Sequence, residues 1–140
     1  MMSRYLTALG ASAAHATILV ALVLAACGDS NLIGPDNQLE VNAAVDNFQF
    51  QVSSLDNVSQ DLTYAWENTG TQATVDISQA ITAGTALLTI TDAGGTVLHQ
   101  EDIADNNSVD TSVGVAGEWT IEIELAGATG TINFRVQRKT

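Results

Sequence analysis

The chain has 140 residues, enough for one domain, and sets 16 acidic side chains against 4 basic ones for a formal charge of −12. Apart from Arg4, the cations Arg135, Arg138 and Lys139 all sit near the C-terminus, so no basic stripe exists to neutralise phosphates, and the composition argues against a nucleic-acid partner. Cys27 is the one cysteine; no intramolecular disulfide can form, and packing alone must hold the fold.

Residues 1–26 open with an amine and Arg4 and close in an unbroken apolar run over 18–26. That length suits the apolar region of a secretory leader. It falls short of the roughly 20 apolar residues that cross a bilayer. The run ends in Leu24-Ala25-Ala26-Cys27, which resembles the lipobox of bacterial lipoproteins position by position. The resemblance implies cleavage between Ala26 and Cys27, acyl chains such as palmitate on Cys27, and a membrane anchor made by that lipid. Two or three acyl chains give durable attachment where one gives only weak binding. Surface charge cannot replace them, because an acidic surface is not drawn to anionic head groups. Gly28, not an aspartate, follows Cys27; this resembles the outer-membrane rather than the inner-membrane class, and the expected location is the bacterial cell envelope.

Residues 27–38 hold the only proline and little to bury, which predicts a flexible stalk between lipid and domain. From 39 to 140 apolar residues alternate with polar ones, the period of strands with one buried face. Such runs cover 48–52, 62–66, 73–77, 88–90, 96–99, 119–125 and 132–136, with a weaker one over 108–113. Turn signals stand at Asn68-Thr69-Gly70 and Asp92-Ala93-Gly94-Gly95. Only 78–83 offers a helical turn, and a loop suits it equally. The pattern predicts an all-β fold, a single antiparallel β-sandwich of seven or eight strands with jelly-roll or Ig-like architecture. Segments 118–125 and 131–137 are expected to form a hairpin across Gly127 and Gly130, with Glu122 opposite Arg135. The stretches 88–97, an apolar strand entering an Asp/Gly turn, and 117–123, a late Gly-aromatic strand, resemble pre-peptidase C-terminal-like and related jelly-roll modules of secreted bacterial proteins. Fold resemblance of this kind does not fix function.

Little catalytic chemistry is legible. His99 is the only histidine after the leader, no Gly-x-Ser-x-Gly elbow exists, and a base needs an orienting partner. Glu122 and Glu124 share one strand face and could flank a glycosidic bond, but a solvated sheet face explains them as well. Glu101, Asp102, Asp105 and Asp110 fall in a segment rich in Asp and Asn whose oxygens suit calcium, without EF-hand order; the same composition also makes ordinary turns. Trp66 and Trp119 occupy alternating apolar positions and are expected in the core. The reading is a lipid-anchored, non-enzymatic binding or structural module without a cofactor, whose partner is an envelope protein or a glycan. A small hydrolase and a calcium-dependent adhesion module are the alternatives.

Overall fold

A computed structural model describes residues 31–140, so the expected leader, the Ala26/Cys27 cleavage point and the lipidation of Cys27 lie outside the described residues. Alternation becomes strand throughout: β1 (Glu40–Ala44), β2 (Asn47–Asn68), β3 (Ala73–Thr91), β4 (Val97–Asp102), β5 (Asn107–Asp110) and β6 (Gly117–Arg138), preceded by a 3-10 turn at Pro35–Asn37. The six strands pair antiparallel throughout, in one sheet of order β1-β2-β6-β3-β4 with β5 also on β3. The all-β antiparallel class is the one the sequence predicts.

The number and length of the strands differ from that expectation. The structure has six strands, because β2, β3 and β6 run for 22, 19 and 22 residues. Each joins two apolar runs that read as separate strands: 48–52 with 62–66, 73–77 with 88–90, and 119–125 with 132–136. The expected hairpin across Gly127 and Gly130 is therefore wrong. Glu122 pairs with Thr63 and Thr89, while Arg135 pairs with Gln49 and Asp76. The 78–83 stretch likewise belongs to β3.

The glycines mark a bend instead of a reversal. Register shifts cluster between Val52 and Gln60 in β2 and between Ile81 and Thr85 in β3, and positive φ occurs at Ser54, Asn57, Gly84, Gly127 and Gly130. Bulges insert unpaired residues, bend the strand and raise its twist. In β6 the buried positions change from odd, Trp119 to Leu125, to even, Ile132 to Val136, and only an irregularity between them lets both halves face one core.

The sheet thereby folds over on itself. If β2 were straight, Phe48 and Tyr64 would lie about 50 Å apart, yet their rings are 5.7 Å apart. One layer has the order β1-β2-β6-β3-β5, using the early halves of β2 and β3 and the late half of β6; the other has β2-β6-β3-β4 from the remaining halves. On the inner faces Phe50 stacks on its β6 partner Phe134 at 5.1 Å and Trp66 meets Trp119 edge-on at 5.7 Å, while Tyr64 reaches across to Phe50 at 6.1 Å. Both tryptophans are buried, as expected. The three bends form one end of the sandwich; the turns at 45–46, 69–72 and 92–96 form the other.

The described part of the expected stalk is docked. Asn31 donates its backbone N–H to the Asn57 carbonyl at 2.9 Å and accepts from Ser59 N–H at 3.1 Å, Ile33 packs on the core, and the Asn37 amide donates to the Ser54 carbonyl at 2.8 Å. Sequence composition missed this because the bend takes Ser53 and Ser54 out of the β2 register, and their carbonyls accept from the Asn37 amide instead. β1 was missed for the opposite reason: all five of its residues are exposed, so it has no apolar alternation.

Candidate functional site

A groove of about 630 Å³ crosses the outer face of the first layer. Because Phe48, Phe50 and Val52 point into the core, Gln49 and Gln51 must point out, and the same parity holds in the neighbouring strands. The registers set two rows of side chains across β1, β2, β6 and β3: Asn42, Gln49, Arg135, Asp76, and then Glu40, Gln51, Asn133, Ser78. All eight line the groove.

Within the rows Asn133 donates its amide to Gln51 Oε1 at 3.2 Å. Arg135 Nη2 stands 3.8 Å from Asp76 Oδ2, with both side chains well exposed, and the Ser108 hydroxyl donates to Asp76. Among the described residues the side chains of Glu40, Asn42, Gln49 and Ser78 have no hydrogen-bond partner. The groove thus offers amides, a guanidinium and a hydroxyl to a polar ligand. Its carboxylates, Glu40 and Asp76, sit three strands apart, about 14 Å by strand spacing, too far to flank one glycosidic bond, which needs about 5 to 9.5 Å.

His99 lies elsewhere. It pairs with Ile90, as Glu101 does with Leu88, which turns both toward the core at the open edge of the sandwich; their side chains are 13% and 19% exposed. Nε2 lies 3.1 Å from Glu101 Oε1, but the two are poorly aligned and neither makes a directed hydrogen bond. The contact is therefore one of proximity, and becomes an ion pair only with the ring protonated. Asn107 Nδ2 donates to the other Glu101 oxygen at 3.0 Å. The Ser108 hydroxyl is taken by Asp76, so the structure does not assemble a Ser-His-Asp relay here. Glu122 and Glu124 lie on the outer face of the second layer, between Thr63 and Thr89 and between Asp61 and Leu87. Neither this groove nor a second cavity of about 250 Å³ beside the bends is lined by His99, Glu122 or Glu124.

The calcium ligand set read from the sequence is not brought together. Glu101 turns inward, Asp102 ends β4, Asp105 is exposed in the following loop, and Asp110 accepts from Thr74 Oγ1 at 2.8 Å and from Lys139. Among the described residues no three His, Cys, Asp or Glu side chains converge to hold a metal. The cause is the strands: alternation sends Glu101 and Asp102 to opposite faces of β4, and β5 carries Asp110 away to pair with Thr74.

The buried carboxylate of Asp92 is structural. Asp92 is buried; Oδ1 accepts from Thr96 and Gly94 N–H at 2.8 and 3.0 Å, and Oδ2 from Val115 N–H at 2.8 Å. These bonds, Thr96 first, hold its pKa below the ordinary carboxylate value against the opposing effect of burial. Asp46, bonded by Thr69, and Asp110, bonded by Lys139, are lowered too. A depressed folded-state pKa contributes stability that is present above the unfolded value and is lost as pH falls through the folded one. Melting temperature should therefore hold from neutral pH down to about pH 4 and then fall steeply. Asp92→Asn should lower the neutral-pH melt and flatten that acid limb, and an unchanged limb would remove Asp92 as a contributor.

The groove escaped sequence reading because its residues are dispersed over four strands. A signal was present, since the outward positions of 47–51 and 133–137 are mostly Asn and Gln, but its meaning depended on strand order.

Among known proteins, neither family models nor curated proteins match this chain. Among solved structures, it is similar to the capsular polysaccharide assembling protein CapF from Staphylococcus aureus, at a TM-score of 0.30 and 14% identity over 72% of this chain. The match spans 28% of the length of that chain. Among the described residues no helix is long and apolar enough to cross a membrane.

Proposed function

We propose that this chain is a bacterial envelope lipoprotein, held to the membrane by lipid on Cys27, whose sandwich is a non-enzymatic module that binds a polar ligand in the first-layer groove. The groove carries the reading for the domain: it is built from amides with unspent hydrogen-bonding capacity, and its two carboxylates stand at opposite ends. The motif Leu24-Ala25-Ala26-Cys27 supports the anchor, and Gly28 after the cysteine favours the outer membrane. With a net charge of −12, the partner is a glycan or a polar protein surface that is not strongly anionic.

Two measurements test this. Cys27→Ala should accumulate as an uncut precursor without acyl chains, and an unmodified Cys27 thiol in the wild-type protein, read by mass spectrometry, would defeat the anchor. For the groove, Gln49→Ala combined with Asn133→Ala should abolish capture of envelope glycan or protein while leaving the melt nearly unchanged, since exposed substitutions usually shift stability by less than about 0.5 kcal/mol. Capture that survives in the double variant would place the ligand elsewhere.

A further inference from the structure

The place where the chain leaves the sandwich limits how the domain can face its membrane. Asn31 is fixed at the bend end by three bonds to β2: backbone bonds with Asn57 and Ser59, and its side-chain amide to the Asp56 carbonyl at 2.8 Å. Only Gly28, Asp29 and Ser30 separate it from Cys27. Four residue steps reach at most about 14 Å even when fully extended. The sandwich layers are longer than that, since the seven residues from Asn47 to Ser53 span roughly 20 Å. The turn end, carrying Arg138 and Lys139 with their partners Asp46 and Asp110, therefore cannot meet the surface to which Cys27 is bound unless the domain lies on its side.

The surface beside the exit point suits a lipid boundary. Leu32, next to the fixed Asn31, is 68% exposed. The bends expose Thr82, Ala83, Gly84, Thr85 and Ala126, all small and uncharged, with the exposed acids Asp56 in the β2 bend and Asp102 beside the β3 bend. A leucine without a protein partner, held within a few residues of acyl chains, gains from entering the head-group region.

We propose that the bend end of the sandwich faces the lipid surface, with Leu32 as its apolar contact, so that the turn end and the groove flank remain open to the envelope space. This rests on the reading of Cys27 as the lipid anchor. No cation lies at the bends among the described residues, so the contact does not depend on anionic lipid.

The full lipidated protein, reconstituted in phosphatidylcholine vesicles, tests the orientation. Ala83→Cys at the bend end and Val45→Cys at the turn end each receive a fluorophore, and a quencher is placed on the lipid head groups. Position 83 should lose most of its fluorescence and position 45 almost none, and adding phosphatidylglycerol should not deepen the loss. Equal quenching, or stronger quenching at 45, overturns the proposal. Leu32→Ser should restore part of the fluorescence at 83 without changing the melt; unchanged quenching would show that Leu32 is not the contact and sink the proposal as stated. The mass of the N-terminal peptide separates the two failures. Lipid on Cys27 with the wrong quenching pattern rejects the orientation alone, whereas a peptide without lipid rejects the anchor and the orientation together.

Discussion

Gly130→Ala is expected to destabilise the domain by about 4 kcal/mol or more, at the severe end for a single substitution. Two costs combine. Gly130 has φ 129°, a conformation that side chains resist at a cost of about 1–3 kcal/mol. In addition, a Cβ there would stand 2.0 Å from the Ala80 carbonyl oxygen and 3.0 Å from Ile81 Cα. Both are backbone atoms of the paired strand β3, so no side-chain rotation relieves the contact and the Ile81–Gly130 crossing must open. Against a total stability of roughly 5–15 kcal/mol, this would leave little margin. Gly95→Ala is the matched control, because Gly95 also has positive φ, 84°, but no atom lies within 4 Å of its would-be Cβ. Its cost should be only the backbone conformation, about 1 kcal/mol. Urea unfolding of the two variants measures the difference. If Gly130→Ala costs no more than Gly95→Ala, the bend is looser than its geometry shows.

The same bend explains what the sequence could and could not disclose. Parity identified the buried face correctly in every long strand: Phe48, Trp66, Val75, Ile90, Trp119 and Phe134 all point into the core. Parity is local, and a strand half reads the same whether it ends in a hairpin or in a bulge. Gly127 and Gly130 supply positive φ in either case, so connectivity across 126–130 could not be read from composition. The loop Asp92-Ala93-Gly94-Gly95 was legible because a true reversal needs its turn residues in succession, with Asp92 accepting from the turn's own N–H groups. Site residues suffered more than the fold did. Acids crowded together at 101–110 drew attention through proximity in sequence, yet strand alternation separated them. Gln49, Asn133 and Asp76 stand far apart in sequence, and only the β2-β6-β3 order made them neighbours.

Trp66→Ala is expected to cost about 3–5 kcal/mol, the range for emptying a large buried aromatic site. The ring is 1% exposed, pairs across strands with Trp119 and meets it at 89°, so its removal leaves a hole between layers that the second indole cannot fill by itself. Geometry adds a second consequence. Trp66 Nε1 donates to the Ala44 carbonyl at 3.0 Å, and this bond ties β1, an edge strand exposed along its whole length, to the opposite layer. Trp66→Phe separates the two roles, since it keeps most of the ring and removes the donor. Its cost should be smaller, about 1–2 kcal/mol, because the freed carbonyl belongs to an exposed strand and can be hydrated. The loss should appear locally, as faster hydrogen exchange in the Glu40–Ala44 amides relative to those of β6. The two rings should also be coupled: a double-mutant cycle with Trp119→Ala should return about 0.5–1.5 kcal/mol for the edge-on contact. A cycle that returns zero would mean the indoles fill space independently. Unchanged exchange at β1 in Trp66→Phe would mean that the pairing of β1 with β2, and not the indole N–H, holds that edge in place.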